Sequence, residues 1–171
     1  MIRYLAFLRG VNPVNASMPA LRSAFEQAGF TRVRTVLGSG NVAFDAAPDD
    51  EHRIEQLAEA AMAARLGKAF PAIVRSRAYL QELLAADVHA RHGIPPEARR
   101  VVSFLREAAE PRVALPLARD LASVFLVSGR EVYSAYLPTP KGPVFMQLIE
   151  RAFGTDLTTR TLDTVARCAR A

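Results

Sequence analysis

Two short segments of this chain carry side chains suited to holding an anion. Arg9-Gly10-Val11-Asn12-Pro13-Val14-Asn15 supplies a guanidinium, two amides and several loop N–H groups, and Gly38-Ser39-Gly40-Asn41 adds a hydroxyl, a third amide and two glycines. Arginine forks onto two oxygens of a phosphate or carboxylate. Loop N–H groups beside a helix N-terminus add neutral donors. A second reading covers the same residues: Gly40-Asn41 makes a tight turn that needs positive φ, while Asn12 and Asn15 bond their own loop.

The flanking pattern decides whether the two segments meet. Ile2 to Leu8 is a short apolar run ending at Arg9-Gly10, as a buried strand entering a loop would. Met18, Leu21, Phe25 and Ala28 recur at helical spacing, with Ser17 at the N-cap and Gly29 as the stop. Val33 to Leu37 and Val42 to Phe44 flank Gly38 to Asn41 as a hairpin. A second helix opens at Asp49, Asp50 and Glu51 and is expected to turn Ile54, Leu57, Ala61 and Leu66 inward, before a fourth strand at Ala72 to Val74. The order βαββαβ is that of the ferredoxin-like unit. In that topology the loop leaving the first strand and the hairpin joining the second and third strands lie on one edge, so the Arg9 loop and the Asn41 hairpin should converge.

The pattern then repeats. A linking helix over 77–86 and a linker over 87–98 precede a strand at Val101 to Arg106, a short helical stretch near Val113 to Leu121, and a hairpin of Val124 to Val127 with Glu131 to Leu137. A helix over 143–153, a strand at Leu157 to Thr159 and a terminal helix over 162–170 complete the chain. Phe7-Leu8-Arg9 recurs as Phe104-Leu105-Arg106, and Leu37-Gly38-Ser39-Gly40 as Leu126-Val127-Ser128-Gly129. These matches, in step with the element order, point to internal duplication. The expected fold is α+β: duplicated ferredoxin-like units with antiparallel sheets over 1–76 and 99–160, a helix and linker over 77–98, and a C-terminal helix over 161–171.

Composition bounds the partners. Of 171 residues 50% are apolar, which excludes a disordered chain, and no uncharged run is long enough to span a membrane. Only Tyr4 to Leu8 separates Arg3 from Arg9, too short for a secretory signal, so the expected location is cytoplasmic. The net charge of +5 rests on twenty arginines and two lysines, Lys68 and Lys141, spread along the chain without a basic tail. A solvated basic surface accounts for it better than nucleic acid does.

Other motifs fall away. Gly38 to Ala43 fits G-x-G-x-x-A, but a strand follows where dinucleotide binding needs a helix. His89 and His92 lack a second ligand pair and read as solvated linker residues rather than a metal site. Cys168 falls on the apolar stripe of the terminal helix, as a small core side chain. No stretch matches the stacking motif of an RNA-recognition sheet. Nothing calls for a metal or a cofactor.

Phe7-Leu8-Arg9-Gly10-Val11-Asn12, Met18 with Leu21, Ser39-Gly40-Asn41-Val42-Ala43-Phe44, Ile73-Val74-Arg75-Ser76, Val102 to Leu105 and Thr158-Thr159-Arg160 together resemble the bacterial family catalogued as domain of unknown function 1697. The resemblance implies a duplicated ferredoxin-like fold, a cytoplasmic bacterial origin and no established activity. Its motif residues fall on Arg9, Gly10, Asn12, Ser39, Gly40, Asn41, Arg75 and Arg160. Two departures stand out: Pro13-Val14-Asn15 where relatives continue with V-G-G and a basic residue, and Thr161 where Asn is common. The expected function is a binding module for a small anion or a nucleic-acid phosphate, held by Arg9, Asn12, Ser39 and Asn41 with Arg75 and Arg160 outside them. The alternatives are a transferase or hydrolase at the same edge, with Ser39 as a weak nucleophile, and a structural module for protein interaction.

Overall fold

The strand β1 (Ile2–Leu8) buries every side chain from Tyr4 to Leu8, alternating between two faces of a sheet. In the computed structural model, which describes every residue except Ser39, β1 is followed by α1 (Met18–Gln27), β2 (Thr31–Val36), β3 (Asn41–Ala46), α2 (Glu51–Leu66) and β4 (Ala72–Ser76). Ser17 caps α1, its Oγ accepting from the Ala20 N–H at 3.2 Å, and Asp50 caps α2 by accepting from the His52 N–H at 2.9 Å. The four strands form an antiparallel sheet in the order β2-β3-β1-β4. Tyr4, Ala6 and Leu8 join Leu21, Phe25, Phe44, Ile54 and Met62 in the core beneath α1 and α2. Phe30 stacks on Phe44 at 4.4 Å, and Phe25 meets the same ring edge-on at 5.4 Å.

Helix α2 faces inward along a different stripe from the one expected. Its buried residues are Ile54, Glu55, Ala58 and Met62, whereas Leu57 is 43% exposed. The cause lies in β4, an edge strand whose alternate amides point away from β1. Glu51, Glu55 and Glu59, one helical turn apart, accept from the N–H groups of Ser76 at 3.3 Å, Val74 at 2.9 Å and Ala72 at 2.9 Å. Turning those carboxylates toward the strand rotates Leu57 into solvent.

Two compact units make up the chain, Met1–Glu82 with Thr164–Ala171, and Leu83–Asp163. After α3 (Arg77–Ala86) and α4 (Val88–Arg91), the strands β5 (Arg99–Leu105), β6 (Leu117–Arg119), β7 (Ala122–Ser128), β8 (Glu131–Tyr136) and β9 (Leu157–Thr161) form an antiparallel sheet in the order β6-β7-β8-β5-β9. Helix α5 (Val144–Phe153) packs on β6, β7 and β8 through Val144, Leu148, Ile149 and Ala152, and α6 (Leu162–Ala169) follows β9. The helical stretch expected near Val113 to Leu121 is instead a loop and the short strand β6. Pro111 and Pro116 lack amide donors there, and Asp120 and Leu121, with φ of 49° and 66°, make a two-residue hairpin turn into β7.

His89 is not a solvated linker residue either: it is 1% exposed, against the rings of Phe125 and Tyr133. Its Nε2 lies 3.2 Å from the Val101 carbonyl and 3.0 Å from that of Ser134. Carbonyls only accept, so Nε2 carries the hydrogen. Burial holds the His89 pKa below its ordinary value, although both carbonyls pull the other way. The same burial, with Glu131 nearby, pushes the Tyr133 phenol up to about 12.

Glu55→Leu leaves the buried Val74 amide without its acceptor and is expected to cost about 1–3 kcal/mol in urea unfolding. A base whose folded pKa lies below its unfolded value binds fewer protons when folded, so stability is complete above about pH 6.5 and declines as pH falls below it. Replacing His89 by Gln should remove that part of the acid sensitivity from an unfolding series between pH 8 and 5.

Candidate functional site

The Arg9 loop and the hairpin do converge. The Leu8 N–H donates to the Gly40 carbonyl at 2.8 Å, and the Arg9 N–H donates to the Pro71 carbonyl at 3.0 Å, which pins the exit of β1 on both sides. Gly40, at φ +79°, sits so close that an added Cβ would stand 3.1 Å from Val11 Cβ and 3.2 Å from Leu8 Cβ. Asn41 is 1% exposed and its Nδ2 donates across the hairpin to the Val36 carbonyl at 3.1 Å. Arg9 is half-buried at this junction, Gly10 and Asn12 are exposed, and Ser39 lies outside the described residues.

The loop spends most of its polar groups on itself. Asn12 Oδ1 accepts from the Val14 and Asn15 N–H groups at 2.8 and 3.0 Å. Asn15 Oδ1 accepts from the Asn12 N–H at 2.9 Å, and Asn15 Nδ2 donates to the Gly10 carbonyl at 2.7 Å. The Ala16 N–H donates to the Asn12 carbonyl at 3.2 Å. Of the two readings open in the sequence, the closed loop accounts for Asn12 and Asn15, and it takes up the N–H groups of Asn12, Val14, Asn15 and Ala16.

Arg75 stands elsewhere on the first unit. Arg75 opposes Leu5 in the middle of β1, about 13 Å along the strand from Arg9, and is fully buried. Its Nη1 donates to the Val74 carbonyl at 2.9 Å and lies 4.0 Å from Glu51 Oε2. Arg160 belongs to the second unit, on β9, where its Nη1 donates to Thr158 Oγ1 at 2.7 Å and the Thr159 carbonyl at 2.8 Å. Both guanidiniums organise backbone and side chains next to them.

Two hollows had no signature in the sequence, because each gathers residues far apart in the chain. One, in the first unit, has a volume of about 340 Å³ and is lined by Arg34, Val36 and Leu37 together with Arg167, Arg170 and Ala171. The other, in the second unit, has a volume of about 710 Å³ and sets Arg99 and Arg100 against Glu97 and Asp163, with Tyr136 and Thr161 in its wall. Arg100 is already held there by Asp87 at 3.6 Å and by the Ile94 carbonyl at 3.1 Å. No group of three His, Cys, Asp or Glu residues suited to a metal ion occurs among the described residues, and none of their helices is long and apolar enough to cross a membrane.

The family described as "Protein of unknown function (DUF1697)" matches residues 1–133. The chain belongs to DUF1697. That match takes in the Arg9 loop, the hairpin and Arg75, whereas Arg160 lies beyond it. A solved structure of a conserved bacterial protein from Streptococcus pneumoniae superposes on this DUF1697 chain with a TM-score of 0.70 at 16% identity, covering 99% of this chain and 97% of the other. The likeness is one of fold. No curated protein matches the sequence.

Gly40→Ala combines an unfavourable positive φ with crowding against Leu8 and Val11, so it should cost about 1–3 kcal/mol in chemical denaturation. Gly38→Ala has the same handicap of φ at +64° but meets nothing within 4 Å, and should cost measurably less.

Proposed function

We propose that this DUF1697 protein is a binding module for an anionic ligand, a nucleotide or a nucleic-acid phosphate, recognised on the first unit where the Arg9 loop meets the Gly38 to Asn41 hairpin. The observation that carries the reading is the contact of Gly40 with Leu8 and Val11, which brings the hairpin beside the half-buried Arg9. In this reading Arg9 is the charged contact, Gly10 and Gly40 let the backbone approach, and Asn12 and Asn41 are positioning residues that hold loop and hairpin in shape. Ser39 belongs to the same turn by sequence. Arg75 and Arg160 drop out of the contact set because their guanidiniums serve other groups. A transferase or hydrolase at this edge is less well supported, since neither the loop nor the hairpin contributes a carboxylate or an imidazole.

The strand order supports two ferredoxin-like units related by duplication. β2-β3-β1-β4 in the first sheet corresponds to β7-β8-β5-β9 in the second, with β6 added at the edge. The Leu8 N–H to Gly40 carbonyl bond has its counterpart in Leu105 N–H to the Arg130 carbonyl, also 2.8 Å. Arg106 takes the place of Arg9 but pairs with Asp156 at 3.3 Å. On this reading the two copies have diverged at this arginine, in a cytoplasmic bacterial protein.

A thermal-shift screen of ATP, inorganic phosphate and a short oligonucleotide in low salt tests the assignment. At a hundredfold excess over Kd the expected rise in Tm is about 5–10 °C. Arg9→Ala should reduce it. No rise with any of the three, or an equal rise in the variant, would refute the binding role of this edge.

A further inference from the structure

The hollow beside the edge strand β2 is built from two segments of the first unit that lie far apart in the sequence. β2 supplies Arg34, α6 supplies Arg167, and Arg170 stands in the turn just past α6, its N–H donating to the Arg167 carbonyl at 3.2 Å. All three side chains are exposed, and none has a carboxylate partner among the described residues. Their neighbours show how unusual that is. Arg3 and Arg32, on the same unit, both pair with Asp45, at 3.0 and 3.1 Å, and Arg22 pairs with Glu26 at 2.9 Å. Ala171 also lines the hollow, with its carbonyl oxygen turned to Arg3 Nε at 3.2 Å.

A lone arginine on an edge strand has a structural use, since a charge there discourages pairing with another strand. That accounts for Arg34 and leaves Arg167 and Arg170 unexplained, because they come from α6 and the turn after it and face the same concavity. Three like charges around one hollow repel one another, and a multiply charged anion relieves that repulsion while satisfying the guanidinium donors. At about 340 Å³ the hollow is at the small end of the range for ligand pockets, which suits a phosphate group or a compact phosphate ester.

We infer that Arg34, Arg167 and Arg170 form a binding site for a compact phosphate-bearing anion, independent of the Arg9 edge. The probe is inorganic tripolyphosphate, titrated calorimetrically into the full chain at 50 mM salt, with a short single-stranded oligonucleotide in a parallel arm. The titration is run on the Arg9→Ala variant, in which the other edge is disabled, and the expected result is saturable one-to-one binding of tripolyphosphate, weakened about tenfold or more by adding Arg167→Ala or Arg34→Ala. Adding Arg65→Ala, which removes an equal charge from the exposed end of α2, should leave it unchanged. Circular dichroism of each variant checks that the fold is intact. Failure of tripolyphosphate to bind overturns the inference, as does equal weakening by Arg65→Ala, which would mark a diffuse charge effect. Binding of the oligonucleotide alone, with a steep salt dependence, also overturns it in favour of a phosphodiester track. Binding to the wild-type chain that is absent from Arg9→Ala would overturn it too, and would place the anion at the other edge.

Discussion

Three carboxylates on one face of α2 tie that helix to the open edge of the first sheet. β4 has β1 on one side only, so the amides of Ala72, Val74 and Ser76 would face away from any strand partner, and a buried N–H left in that state is costly. Glu59, Glu55 and Glu51 answer them in turn. The ladder sets the rotation of α2, which in turn decides that Ile54, Ala58 and Met62 enter the core. It also closes the edge to any foreign strand. Glu51 does double duty, since the buried Arg75 guanidinium lies 4.0 Å from its other oxygen.

At the opposite end of the sheet from that contact, the loop after β1 achieves its shape by the same economy of hydrogen bonds. Asn12 and Asn15 exchange bonds with each other's backbone, so the loop is rigid without help from a ligand. Order of this kind would lower the entropic cost of the binding proposed at Arg9, because the scaffold is already in place. It also explains how the chain tolerates Pro13, Val14 and Asn15 where the resemblance to relatives suggests glycines. A glycine-rich loop relies on its backbone amides as donors, whereas here the amides of Asn12, Val14 and Asn15 are used internally.

Much of the fold was legible because local rules set it. Ser17 and Asp50 cap their helices where the sequence places them, and the strands β1, β3, β5 and β8 follow apolar runs bounded by Gly or charged residues. The failures share a cause. Leu57 is a better hydrophobe than Glu55, yet Glu55 is buried, because the amide it satisfies belongs to Val74 and is nineteen residues away. His89 reads as a linker residue until the carbonyls of Val101 and Ser134 are seen on its Nε2. Arg75 follows an apolar pair in the sequence and looks like a strand-end charge, but its strand lies against β1 and the side chain is enclosed.

The sequence by itself determined the order of helices and strands, the hairpin at Gly38 to Asn41 and its approach to the Arg9 loop. Periodicity, capping residues and the topology of a βαββαβ unit act over a few residues or through a fixed connection rule, and so can be read in order along the chain. Which arginines are spent and which are available was decided only by the tertiary structure. A guanidinium is neutralised by whatever carboxylate or carbonyl the fold brings within about 4 Å, and those partners come from distant strands and helices. For the same reason Arg34, Arg167 and Arg170, separated by more than a hundred residues of chain, show a shared concavity only once β2 and α6 are in place.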